Sequence, residues 1–151
     1  MNKAAWDYIK ATLYYEDGSL RDILINDVDF KDWKTYLGHL NNSYKVSWHS
    51  ISGETKDINM EEVFRFLESD VDGCYMVVIT IGDFSIDCHL GGDVIEHVLS
   101  PRDIKSIDDH NMLLKYIKSI SNLLSKPIVI TSDNTPEDVL MSVYDGIVVI
   151  K

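Results

Sequence analysis

The run from Cys74 to Ile81 constrains the fold more than any other segment. Thr80 is its only hydroxyl-bearing or charged position besides the tyrosine Tyr75, and Val77, Val78, Ile79, Thr80 and Ile81 are consecutive β-branched residues. A run this short, this apolar and this branched is a strand, because β-branched side chains pack well on a pleated surface and lose rotamer freedom in a helix. It predicts the central strand of a sheet. Gly82-Asp83 then turns the chain into Phe84, Ile86 and Cys88, which alternate with Ser85, Asp87 and His89. Gly91-Gly92 breaks the pattern before Val94 to Leu99, so the neighbouring strands lie next to one another in the chain.

The remaining segments are read by the same periodicities. Ile9, Ala11, Leu13 and Tyr15 alternate with Tyr8, Lys10, Thr12 and Tyr14, which predicts a strand that Asp17-Gly18 turns back into a second one over Leu20 to Ile25. Asp29 is placed to cap a helix with Phe30, Trp33, Leu37 and Leu40 on one stripe. Tyr44, Val46 and Trp48 predict a half-exposed strand. Asn59 with Glu62 has the spacing of a capping box before Val63, Phe64 and Leu67. The longest helical stripe is Met112, Leu113, Tyr116, Ile117, Ile120, Leu123 and Leu124, starting near Asp108 or Asp109 and closed by Lys126-Pro127. A strand over Ile128 to Thr131, a polar loop from Ser132 to Asp138 and a hairpin around Asp145-Gly146 complete the chain. The expected architecture is α+β, a mostly antiparallel sheet with about three helices packed against it in the order ββαβαβββαββ. With no repeat and no linker, residues 1–151 are expected to form one globular domain, and a chain of that length hides roughly two-thirds of its unfolded surface.

Charge narrows the function. The chain has 25 acidic and 14 basic side chains, a net charge of −11. Such a field repels nucleic acid and anionic membranes and attracts cationic partners. Asp7 and Lys10 interrupt any apolar leader, so a cytoplasmic protein is expected. In that reducing setting Cys74 and Cys88, which form no CxxC pair, read as free thiols. Asn41-Asn42-Ser43 matches a glycosylation sequon that such a location leaves unused.

Catalytic chemistry is hard to place. The densest group of metal-type ligands is Asp87, Cys88, His89, Asp93, Glu96 and His97. Pairing across Gly91-Gly92 could bring His89 towards His97, but the spacing fits no zinc site, and alternation turns Cys88 inward from Asp87 and His89. No GxSxG elbow, Walker sequence or GxGxxG is present. Acids beside both cysteines oppose thiolate formation. Lys105, Lys115 and Lys118 read as a solvated helix face. The expectation is therefore a protein that is not an enzyme and carries no metal or cofactor.

The informative features concern surfaces. Aromatics on exposed strand faces with acids around them are typical contact residues. Tyr8 and Tyr14 are expected on the polar face of the first strand, and Trp48 lies near Glu54 and Asp57 in sequence. The acidic loops supply Asp27, Asp29 and Asp32, then Asp70 and Asp72, then Asp133 and Glu137. Together with Trp48, these acids are the candidate partner-binding residues.

A stand-alone acidic α+β domain without catalytic residues, in which a late amphipathic helix (108–124) leads into Lys126-Pro127-Ile128-Val129-Ile130-Thr131-Ser132-Asp133-Asn134-Thr135-Pro136-Glu137, resembles the small immunity proteins that bacteria use against their own polymorphic or contact-dependent toxins. The resemblance implies a cytoplasmic toxin inhibitor that binds a basic toxin domain, often a nuclease, and blocks its active site with acidic side chains. Two other classes fit the same residues: an adaptor or structural domain of a larger complex, and a small enzyme with a carboxylate-based site.

Overall fold

A computed structural model describes residues 3–51, 53–68 and 75–151. Its elements are α1 (Lys3–Leu13), β1 (Arg21–Ile25), α2 (Phe30–Ser43), β2 (Lys45–Ser50), β3 (Gly53–Thr55), α3 (Met60–Glu68), β4 (Met76–Ile81), β5 (Phe84–His89), β6 (Ile95–Leu99), α4 (Ile107–Leu124), β7 (Ile128–Ser132), β8 (Thr135–Tyr144) and β9 (Ile147–Ile150). The strands form one nine-stranded sheet in the order β3-β2-β4-β5-β6-β1-β7-β8-β9, and every recorded pairing is antiparallel. The α+β class and the antiparallel sheet agree with the expectation. The helix count and order do not, since among the described residues four helices pack on the sheet and α1 replaces the first predicted strand.

Local chemistry explains that replacement. Ile9 and Leu13 fit an alternating pattern, but with Trp6 they form a helical stripe that alternation cannot, and Ala4, Ala5 and Ala11 favour helix. Arg21 then resolves the ambiguity from outside the segment. Its guanidinium is fully buried and donates from Nε to the Leu13 carbonyl (2.9 Å), from Nη2 to the Tyr15 carbonyl (2.7 Å) and from Nη1 to the Leu20 carbonyl (2.9 Å). These bonds satisfy carbonyls at and beyond the end of α1, where a cation is favoured, and hold the 14–20 loop in place. Asp17-Gly18 turns within that loop rather than closing a hairpin. Tyr8 and Tyr14 do not share a strand face: Tyr8 is exposed on α1, whereas Tyr14 is buried with its hydroxyl 2.6 Å from His110 Nδ1.

α2 and α3 begin where the sequence places their caps. Asp29 accepts from the Asp32 amide while Asp32 accepts from the Asp29 amide, a reciprocal capping box. Asn59 accepts from the Glu62 amide at 3.1 Å. α4 starts one residue before its expected first acid, with Ser106 as its cap. It ends at Ser125 in the left-handed region (φ 54°), so Lys126 lies outside the last turn and its ammonium meets Asp32 at 3.7 Å.

Strand alternation divides the sheet into two unlike faces. Val46, Trp48, Val77, Ile79, Ile86, Cys88, Ile95, Ile23, Ile130, Met141 and Val143 point to one side and belong to a single buried cluster with residues of all four helices. Trp33, Tyr36, Leu37, Leu40, Leu113, Ile117 and Ile120 supply the helical half of that core. Each fully buried aliphatic side chain contributes about 1.5–3 kcal/mol of transfer free energy. The expected central strand, β4, is third of nine and alternates in burial, with Val77, Ile79 and Ile81 buried and Met76, Val78 and Thr80 only partly so. β1 and β6, from different parts of the chain, occupy the middle instead. The segment expected as a loop from 132 to 138 is largely β8, whose register against β7 slips twice, passing over Leu140 between Ile130 and Thr131 and over residues 136–138 between Thr131 and Ser132.

Candidate functional site

The face of the sheet away from the helices is the surface the fold leaves available. Its register places one residue from each strand in a continuous row: Val149, Ser142, Val129, Leu24, Glu96, His89, Met76, His49 and Glu54, from β9 to β3. Neighbours in such a row stand about 4.5–5.5 Å apart, but Leu24 is buried at its middle, as is Thr131 in the row alongside, so the exposed side chains gather towards the two ends. Alongside runs a second row, Val139, Thr131, Asp22, Val98, Asp87, Val78 and Ser47.

The two ends of this face differ in chemistry. At the β8–β9 end Tyr144, Ile147 and Val149 are 51%, 65% and 58% exposed, unusual for large apolar side chains on a strand. They project on the same side because Tyr144 pairs with Ile147 and Ser142 with Val149. The β5–β6 and β2–β3 end is titratable, with Glu96, His89 and Glu54 exposed and Asp87 and His49 half-buried. Between them Asp22 is nearly covered. Burial pushes its carboxyl above the usual range, against the pull of the Asn134 amide that donates to it at 3.0 Å, and the charge of Asp133 adds to the rise.

A serine, a histidine and a glutamate do meet on this face. Ser47 Oγ donates to Glu54 Oε1 at 2.8 Å and lies 3.0 Å from His49 Nε2. The hydroxyl is committed to the carboxylate, so the histidine nitrogen facing it acts as donor. Nucleophile activation needs the opposite order, with the hydroxyl proton on the histidine and the carboxylate behind it. The trio holds β2 to β3.

The other polar group with catalytic residue types is sealed in the core. His97 points to the helix side of β6 and is fully buried. Its Nδ1–H donates to the Ile23 carbonyl (3.0 Å), and its Nε2 faces the hydroxyls of Tyr36 (2.7 Å) and Tyr116 (2.9 Å), themselves 2.8 Å apart. Burial pushes His97 down to about 4, so the ring is neutral. Cys88 is its cross-strand partner, and burial pushes that thiol up to about 12. This group ties β6 to α2 and α4 and is almost wholly buried. The expected approach of His89 to His97 does not occur, because the two side chains lie on opposite faces of the sheet. Among the described residues no group of three or more His, Cys, Asp or Glu is arranged to hold a metal ion.

The acids expected to bind a partner fall into separate places. Asp27, Asp29 and Asp32 lie in and after the β1–α2 loop, which packs on the β5–β6 turn through the Val28 amide to the Asp93 carbonyl (2.9 Å) and Trp33 Nε1 to the Gly92 carbonyl (2.9 Å). Hydrogen bonds from the Asp32 amide hold Asp29 below the usual carboxylate range. Asp133 and Glu137 stand at the other end of β1, since Ser132 pairs with Arg21 whereas Asp27 follows Ile25. The five residues of β1 keep the two groups at least roughly 13 Å apart. Asp70 and Asp72, with Cys74, lie outside the described residues. Trp48 is not on the surface. It is 1% exposed, stacks on Tyr75 (5.7 Å between centroids) and donates from Nε1 to Glu62 at 2.8 Å, because β2 turns it towards α3.

The residues that make up the open face, Glu54, Asp87, Glu96, Tyr144, Ile147 and Val149, were not singled out by sequence reasoning as binding residues. Alternation signals that Asp87 is outward, but nothing local tells which strands it will stand beside. Among the described residues no helix is long and apolar enough to cross a membrane. Comparisons with protein families, curated proteins and solved structures return no match to this chain.

Proposed function

We propose that this chain is a non-enzymatic binding protein that neutralises a basic protein partner, of the kind its resemblance to bacterial immunity proteins implies: a toxin domain such as a nuclease. One observation carries the reading. All the described helices share one core on one side of the sheet, and the other side presents exposed Tyr144, Ile147 and Val149 in the same cross-strand array as Glu96, Asp87 and Glu54. An exposed apolar patch and an acidic patch on one face offer a protein partner both an apolar anchor and charged contacts. The acids suit a partner that must be positive where it holds phosphate, and the net charge of −11 would steer that partner in.

The test is capture of a partner from lysate of the source cells with tagged protein, at low and then high salt, using the native chain, the pair Asp87→Lys/Glu96→Lys, and Asp108→Lys on the outer surface of α4. The expected outcome is one basic protein, bound in stoichiometric amount, weakened by salt, lost with the sheet-face pair and kept with Asp108→Lys. Retention by the sheet-face pair, or equal loss with Asp108→Lys, would defeat the assignment of this face.

A further inference from the structure

We infer that the cavity bounded by the C-terminal end of α2, the middle of α4 and the β4–β5 hairpin binds a small amphipathic anion, an aryl or alkyl carboxylate. The cavity measures about 560 Å³, within the usual range for small-molecule sites, and it is separate from the open sheet face proposed to bind a protein.

Its charge sets it apart from the rest of the molecule. Acids outnumber bases by 25 to 14 in the chain, yet the residues lining this cavity include Lys45, Lys115 and His39 and no carboxylate. A lining drawn at random from this composition would hold more acids than cations.

The remainder of the lining suits an apolar body. Tyr116 forms part of the wall, with Tyr44 set edge-on to it at 5.3 Å between centroids and 80° between planes. Aromatic pairs in this arrangement present apolar edges and faces to a third ring. Met112 lies over the hairpin tip so closely that a Cβ on Gly82 would come within 2.7 Å of its sulfur. Its side chain is 45% exposed, so a flexible thioether stands at the mouth and can adapt to what enters.

The test uses three probes with one apolar body: phenylbutyrate, phenylbutanol and phenylbutylamine, each titrated into isotope-labelled protein and followed by amide NMR. The expected result is saturable shifts at Tyr44, Thr80, Gly82 and Tyr116 with phenylbutyrate, and much weaker ones with the alcohol and the amine. Lys45→Gln/Lys115→Gln should weaken phenylbutyrate by roughly tenfold, the scale of a lost charge-assisted contact. Both lysines are exposed, so this variant should fold as the native chain does. Equal shifts from all three probes, shifts centred elsewhere, no shifts at all, or unchanged binding by the double variant would each overturn the inference.

Discussion

The hydroxyls of Tyr36 and Tyr116, eighty residues apart in sequence, lie 2.8 Å from each other and together close over Nε2 of His97. A neutral imidazole whose Nδ1–H is given to the Ile23 carbonyl has one acceptor left. One tyrosine donates to it and the other donates to that tyrosine. Either phenol alone could satisfy Nε2, so Tyr36→Phe and Tyr116→Phe should each cost about 1–2 kcal/mol. The double variant leaves a buried acceptor bare. Its cost should exceed the sum of the singles by about 1 kcal/mol, which a urea-unfolding double-mutant cycle would measure. Additive costs would mean that the two hydroxyls do not share the nitrogen.

The same histidine makes stability depend on pH in a defined direction. Its folded value is lowered from 6.5 to about 4, so the unfolded chain binds a proton that the folded chain refuses between those values. The stabilisation is complete above pH 6.5 and is lost as pH falls towards 4, by roughly 3 kcal/mol. His110, lowered by its own burial, acts with the same sign. Urea midpoints at pH 7.5 and pH 4.5 should therefore differ more for the native chain than for His97→Gln. Equal pH slopes in the two proteins would refute the role of His97.

Asn41 shows why a sequon need not be a modification site. Its side-chain amide donates to the Ile58 carbonyl and accepts from the Ile58 amide, both at 2.8 Å, which pins the segment before α3 against α2. Asn41→Ala should cost about 2 kcal/mol, because two backbone groups lose their partners. Amide hydrogen exchange at Ile58 should accelerate in the variant ahead of global unfolding.

Gly82 is a position where glycine is required twice. Its φ of +61° disfavours any side chain, and an added Cβ would meet the Met112 side chain at 2.7 Å. Gly82→Ala should destabilise by about 1–2 kcal/mol. In a Met112→Ala background the steric part should vanish and about 1 kcal/mol of backbone cost should remain. Thermal unfolding of the four proteins separates the two contributions.

Elements whose signals are local were legible in the chain. Asp29, Asn59 and the stripe on α4 mark helices by caps and spacing that act within one or two turns. Gly82-Asp83 and Asp145-Gly146 mark hairpins in the same way. The segment from Tyr8 to Tyr15 misleads because its apolar residues satisfy both a period of two and a helical stripe. The arbiter is Arg21, whose bonds to Leu13 and Tyr15 depend on the packed structure.

By itself the sequence determined which side chain of each strand points opposite to its neighbour, since that follows from the pleat alone. It could therefore separate Asp87 and His89 from Cys88. Only the tertiary structure decided which strands stand side by side: β1 inserts between β6 and β7, and so Leu24 joins Glu96 to Val129 in one row. That row, the His97 hydrogen bonds and the cavity beside Tyr116 each gather residues from distant segments. Their adjacency comes from burying the helices against one face of the sheet, a global packing choice that no local pattern of residues encodes.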